Sequence, residues 1–254
     1  MFRPRVIPVL LLKNQGLVKS VKFKDYNYLG DPINAVKLFN DLRADELVFL
    51  DILASKEKRT IQLSFVQKVG DECNMPFSVG GGIQTIKDIK QILNAGAEKV
   101  IINSYAAENP EFIKEASMEF GSSTLVISID VKKNLFGKES TYILGGSKST
   151  RYTPVDFAKL MEEKGAGELV INSIEKDGTM EGYDLPLIKK VSEAVTIPVI
   201  ACGGAGTYAH LAEGIKSSYA SAVAAGSMFV YHGPRKAVLI NYPSKDDLQK
   251  IFSN

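Results

Sequence analysis

The chain has 254 residues, enough for one large α/β domain or two small ones, and 45 % apolar with 24 % charged residues is the composition of an ordinary globular enzyme. A formal net charge of +2 argues against nucleic acid or an anionic membrane as partner, and no apolar run approaches the roughly 20 residues of a membrane helix. With Cys73 and Cys202 as the only cysteines, no disulfide framework is expected and a reducing cytoplasm is the expected home.

The opening stretch, Met1 to Leu12, has the outline of a secretion signal, but its apolar run is short, is interrupted by Pro8 and has no small-residue cleavage site before Lys13. Residues 5–12 are therefore predicted to form a buried strand. Further strands are predicted at 46–52, 76–80, 99–103, 124–130, 168–173, 197–202 and 222–226. They are runs of Val, Ile and Leu without apolar/polar alternation, as in parallel sheets covered on both faces. Helix-length segments at 31–43, 85–94, 110–120, 153–164 and 184–195 lie between them, with Asp31, Asn109 and Thr153 as caps before prolines. Eight such units predict a single domain over residues 1–254, a (β/α)8 TIM barrel, with an open doubly wound sheet as the alternative. Residues 13–30, carrying Lys19, Lys22, Lys24 and several aromatics, are too many for a simple connection. They are expected to form a mobile lid with a basic inner face, a solvated lysine-rich loop being the plainer reading.

An internal repeat supports closure into a barrel. Ala44-Asp-Glu-Leu-Val-Phe-Leu-Asp-Ile52 returns 122 positions later as Ala166-Gly-Glu-Leu-Val-Ile-Asn-Ser-Ile174. Pro76-Phe-Ser-Val-Gly-Gly-Gly82 returns at the same shift as Pro198-Val-Ile-Ala-Cys-Gly-Gly204, and Asn103-Ser104 returns one position further on as Gly226-Ser227. Two similar half-barrels would carry any site twice, on opposite sides.

The glycine clusters suggest what that site holds. Gly81 and Gly82 follow a predicted strand and precede a helix, and so do Gly203 and Gly204; such turns let backbone N–H groups approach an anion. Asn103 and Ser104 would complete the first cradle, Gly226 and Ser227 the second. Tight turns alone explain most lone glycine clusters, but a related pair half a barrel apart points to an elongated ligand with a phosphate at each end. His210 and His232 lack metal-ligand spacing, so neither metal nor cofactor is expected. Cys202 reads as a packed core thiol without the glycine pattern of a nucleophile elbow, so the chain is not expected to act as a glutaminase itself.

These segments, with Gly30-Asp-Pro, Ser128-Ile-Asp130, Asp177-Gly-Thr and Gly182-Tyr-Asp, resemble the cyclase subunit of imidazole glycerol phosphate synthase over essentially the whole length. The resemblance implies a barrel of the ribulose-phosphate-binding type. It implies a lyase-type glutamine amidotransferase subunit of histidine biosynthesis that takes ammonia from a separate glutaminase docked on its N-terminal face. The acceptor would be a phosphorylated small molecule, a ribulosyl-ribosyl bisphosphate. It further implies that Asp130 is one of two general acid/base aspartates, that Asp177 is a site residue and that Lys19 contacts substrate. At the position of the other aspartate stands Leu11, which cannot transfer a proton. Glu175 and Asp51 are the carboxylates at neighbouring strand ends. For Asp130 a hydrogen bond to a loop, and for Asp177 a turn role, are the structural alternatives.

Arg5, Glu46, Lys99 and Glu168 match the family's ring of charges at the N-terminal mouth, where ammonia enters. Two acids alternating with two bases would close a neutral gate, with Ser78 and Ser173 lining the passage above; plain solvation of the bottom face is the alternative. Leu11 and the wording around Lys13 and Ala224 also resemble paralogues of bacterial surface-polysaccharide (lipopolysaccharide) pathways. There, barrel and glutaminase supply ammonia to a third enzyme that amidates a nucleotide sugar. A non-catalytic phosphate-binding scaffold is the remaining alternative.

Overall fold

Eight parallel strands follow one another round a closed ring in a computed structural model that describes residues 3–134 and 137–253. Met1, Phe2, Leu135, Phe136 and Asn254, which fall within the predicted domain, lie outside the described residues. The strands are β1 (Arg5–Lys13), β2 (Leu47–Asp51), β3 (Phe77–Gly80), β4 (Lys99–Ile102), β5 (Leu125–Lys133), β6 (Glu168–Ser173), β7 (Val199–Cys202) and β8 (Ala222–Ala225). Each pairs with the next, and β8 returns to β1 through Arg5↔Ala222 to Pro8↔Ala225. The protein is a (β/α)8 TIM barrel, not an open sheet, and closure removes the exposed edges an open sheet would leave.

The helices are α1 (Pro32–Asp41), α2 (Leu63–Glu72), α3 (Ile86–Asn94), α4 (Glu111–Phe120), α5 (Pro154–Glu163), α6 (Leu185–Ser192), α7 (Tyr208–Lys216) and α8 (Lys245–Ser253). Their buried stripes pack on the outward side chains of the strands, where Leu47, Phe49, Val79, Ile127 and Ile171 form the outer core. The opposite parity points inward and makes a smaller cluster of Ile7, Val48, Ile101, Val126, Ile200 and Ala222.

Two of the three expected caps hold. Asp31 accepts from the Asn34 N–H at 2.9 Å and Thr153 from the Asp156 N–H at 3.2 Å. Asn109 does not cap α4: it ends a short preceding helix, Ser104–Glu108, and its amide turns back toward the Tyr105 hydroxyl. The segment 13–30 also departs from expectation. It is a two-stranded antiparallel ribbon (Gly16–Val21 and Lys24–Gly30) that continues β1 through Leu11↔Val18 and Leu12↔Leu17. Strand pairing satisfies its backbone; Lys19 lies on a strand buried from Gly16 to Ser20, whereas Lys22, in the turn, and Lys24 are exposed. β5 likewise runs beyond its predicted end, pairing with a strand at Glu139–Ile143. The two extensions, half a barrel apart in origin, meet where Phe23 packs against Gly146.

Candidate functional site

The inward-facing residues make a column from one end of the barrel to the other. On β6 that column is Glu168, Val170 and Asn172; on β1 it is Arg5, Ile7, Val9 and Leu11, the two-residue period of a strand. At the N-terminal end the charged members find one another. Arg5 donates to Glu46 Oε2 at 2.5 Å and to Glu168 Oε1 at 2.7 Å, and Lys99 donates to Glu168 Oε2 at 3.2 Å. No ion pair between Glu46 and Lys99 closes a four-bridge ring among the described residues; instead Ser78, in register with Lys99, donates its hydroxyl to Glu46 Oε1 at 3.0 Å. The four side chains are thus brought together as a chain of three ion pairs with a serine at its end.

One cavity begins at Glu46 and Ser78, runs along Val48, Ile101, Val126 and Val170, and opens among the loops at the C-terminal ends of the strands. Ser78 lines it, as the sequence suggested. Ser173 does not share that face: it has the parity of Leu169 and Ile171, which lie in the outer core, and Asn172 occupies the inward position. Cys202 is buried in the inner cluster, as a core thiol should be, yet it also lines the cavity, and burial pushes its thiol up to about 12.

Both glycine turns open into this same cavity. Gly81, Gly82, Asn103 and Ser104 line one side, and Gly203, Gly204, Gly226 and Ser227 line the other. The turns at Gly82 (φ 66°) and Gly204 (φ 118°) need glycine for packing as well as conformation. A Cβ at Gly82 would lie 1.8 Å from the Arg59 carbonyl oxygen, and one at Gly204 would lie 2.2 Å from that of Gly182. Lys19 lies against the end of β8: its Nζ would be 2.9 Å from a Cβ on Gly226.

Asp130 stands at the mouth between two amides. Asn172 donates to its Oδ1 at 3.1 Å and Asn103 to its Oδ2 at 3.4 Å. Burial pushes its carboxyl up to about 7, Asn172 pulls against that shift, and the nearby Asp177 charge adds to it. Asp177 is itself paired with Lys19 at 3.4 Å, and its backbone carbonyl accepts from the Lys22 N–H at 2.9 Å. The β1 ribbon is thereby tied to the loop after β6. Leu11 lines the cavity from β1. Of the neighbouring carboxylates, Asp51 lines the cavity but is engaged, and Glu175 does not line it. Asp51 is held by Arg59 at 2.6 Å and by the Leu53 and Ala54 N–H groups, and Glu175 is exposed. Arg59 gave no signal in the sequence, because its partner lies across a loop.

Fold and site together define a small-molecule barrel whose strand ends carry a duplicated glycine-turn pocket, continuous with a charge-closed axis. The profile of the family described as "Histidine biosynthesis protein" matches residues 5–234. A Leptospira interrogans protein, described as a candidate imidazole glycerol phosphate synthase subunit HisF, is 44 % identical over 253 residues, covering 99 % of this chain and 100 % of that protein. The imidazole glycerol phosphate synthase subunit HisF of Oceanobacillus iheyensis is 44 % identical over 98 % of this chain and 97 % of its own length. That of Alkaliphilus metalliredigens is 44 % identical over 91 % and 92 %. The chain belongs to the histidine biosynthesis protein family.

Proposed function

We propose that this chain, acting as one barrel domain, is the cyclase-type subunit of an imidazole glycerol phosphate synthase-like glutamine amidotransferase. It takes ammonia from a glutaminase docked beneath Arg5, Glu46, Lys99 and Glu168. The observation that carries this reading is the single cavity that touches both Glu46 and Ser78 at one end and both glycine turns at the other. A neutral small amine released below the ion-paired rim has an apolar-walled route upward. An elongated bisphosphate ligand has a turn for each end: Gly81, Gly82, Asn103 and Ser104 for one phosphate, Gly203, Gly204, Gly226 and Ser227 for the other. Lys19 is placed to transfer its charge from Asp177 to the second phosphate, and Asp130, with its carboxyl near 7, is suited to exchange a proton with the reacting ligand.

Leu11 favours a second reading, in which the barrel and its glutaminase pass ammonia to a third enzyme that amidates a nucleotide sugar in surface-polysaccharide synthesis. Ring closure with one acid/base group in place of two is expected to be slower by about 10²–10⁴-fold. Asp51 and Glu175 are not placed to make good the loss. The deciding assay supplies ammonium salt and the ribulosyl-ribosyl bisphosphate to the purified chain. Turnover that is negligible in the wild type and rises at least about tenfold in Leu11→Asp supports the repurposed reading. Full turnover in the wild type supports the family reaction. Failure of any glutaminase to co-purify with, or be stimulated by, the chain removes both.

A further inference from the structure

The two glycine turns are related by the internal repeat, yet they are held in different ways. The first packs into the loop between β2 and α2. A Cβ on Gly81 would lie 2.8 Å from the Asp51 Cβ and 3.3 Å from that of Ala54, and Gly82 lies against the Arg59 carbonyl. The Gly81 carbonyl accepts from the Ile61 N–H at 2.9 Å, and the Arg59 N–H reaches back to the Ala54 carbonyl at 3.0 Å. The loop is thus folded round the turn, and one guanidinium fastens its end to its beginning. Arg59 Nη1 donates to Asp51 Oδ2 at 2.6 Å, Nη2 donates to Asp51 Oδ1 at 3.3 Å, and Nε donates to Glu57 Oε2 at 2.7 Å.

The second turn has no counterpart of this clamp. At the repeat positions of Asp51 and Arg59 stand Ser173 and Glu181, and Glu181 lies 4.0 Å from Lys176 on the surface. The loop beside that turn is braced from outside instead, where the ribbon meets Asp177 through the Lys22 N–H and the Lys19 ammonium. Arg59 does not line the mouth; it faces a separate hollow beside Asn14, Gln15 and Gln62. It therefore acts on the turn and not on what the turn holds. We infer that Arg59 is a positioning residue: its fork on Asp51 clamps the loop that cradles Gly81 and Gly82 and so fixes the direction of their N–H groups toward an anion. The inference rests on the phosphate-binding reading of the first turn and adds a residue outside the mouth to it. The Arg59 side chain is 32 % exposed, and ion pairs so exposed contribute little to stability, whereas a planar fork on a carboxylate sets orientation. Backbone donors are effective only when their direction is set before the ligand arrives.

An NMR titration of the full-length chain with inorganic phosphate, reading the Gly82 and Gly204 amides separately, tests this. Both amides are expected to shift in the wild type. Arg59→Gln is expected to weaken binding at Gly82 about tenfold and to leave the Gly204 midpoint unchanged, which makes the second turn the internal control. Arg59→Lys, which keeps the charge and loses the fork, is expected to show the same loss within about threefold, and it carries the test if Arg59→Gln does not fold. Wild-type affinity at Gly82 in Arg59→Lys would make charge and not direction the cause, and overturns the inference. Unchanged affinity at Gly82 in Arg59→Gln, with only the unfolding midpoint lowered, overturns it too, and both results leave the phosphate reading intact. A Gly82 amide that stays silent in the wild type overturns the phosphate reading of the first turn and this inference with it.

Discussion

The two ends of the barrel treat polar groups in opposite ways. At the N-terminal rim Arg5, Glu46, Glu168, Lys99 and Ser78 satisfy one another through contacts of 2.5 to 3.2 Å. At the C-terminal mouth Asp130 is buried between two amide donors, and Lys19, beside Gly226, is taken by Asp177. The rim is electrostatically complete before anything binds. The mouth is not: it keeps a carboxyl whose charge is penalised and an amide oxygen with no donor among the described residues. Polar groups that pair with each other support the fold, whereas groups left incomplete cost stability and are retained where a ligand completes them.

Breaking the rim should produce the largest effect. Arg5→Ala leaves the buried Glu46 and the largely buried Glu168 facing each other without their shared guanidinium, and should cost about 3–5 kcal/mol in urea unfolding. A loss below about 1 kcal/mol would place the rim among ordinary surface ion pairs and erase the contrast. At the mouth the sign reverses. Asp130 has a carboxyl raised from 3.8 to about 7, so between those values the folded protein holds a proton that the unfolded chain has released. Stability must therefore fall as pH rises from about 4 to about 7 and stay low above that. Asp130→Asn removes the penalty and should stabilise the protein by roughly 2–4 kcal/mol at pH 8.5 and scarcely at all at pH 4. Denaturant titrations at the two pH values check this; equal gains at both would show that ionisation is not the cause.

Much of this contrast could be read in the sequence, and the part that could not has physical reasons. The eight apolar runs mark parallel strands covered on both faces, which an open doubly wound sheet shares, and the 122-residue repeat is the signal that favours closure. The rim charges were legible because Arg5, Glu46, Lys99 and Glu168 stand at strand starts. Ser173 lies one residue away from the position that faces the cavity. Counting in twos from Glu168 reaches Val170 and then Asn172, so the parity of Glu168 itself carries the signal that finds Asn172. The ribbon over 13–30 was harder. Its strands pair with β1 and with each other, and its aromatic and lysine residues do not alternate by polarity in a way that separates a ribbon from a loop. The tie between Arg59 and Asp51, and that between Lys19 and Asp177, depend on loop geometry that no local pattern encodes.

The smallest effect sharpens the comparison most. Ser78 donates to Glu46 where an ion pair with Lys99 would have closed the ring, and Glu46 is only 4 % exposed. Ser78→Ala removes one charge-assisted hydrogen bond from that carboxylate and should cost about 1–2 kcal/mol, less than Arg5→Ala. Because both residues serve Glu46, the double variant Arg5→Ala/Ser78→Ala should deviate from additivity by more than about 0.5 kcal/mol. Asp130→Asn lies at the far end of the column, and the four residue steps from Glu168 to Asn172 alone span about 13 Å. Combined with Arg5→Ala it should therefore add within about 0.5 kcal/mol. Coupling between Arg5 and Asp130 as strong as that between Arg5 and Ser78 would mean that the apolar wall of Val48, Val126 and Val170 does not insulate the mouth from the rim.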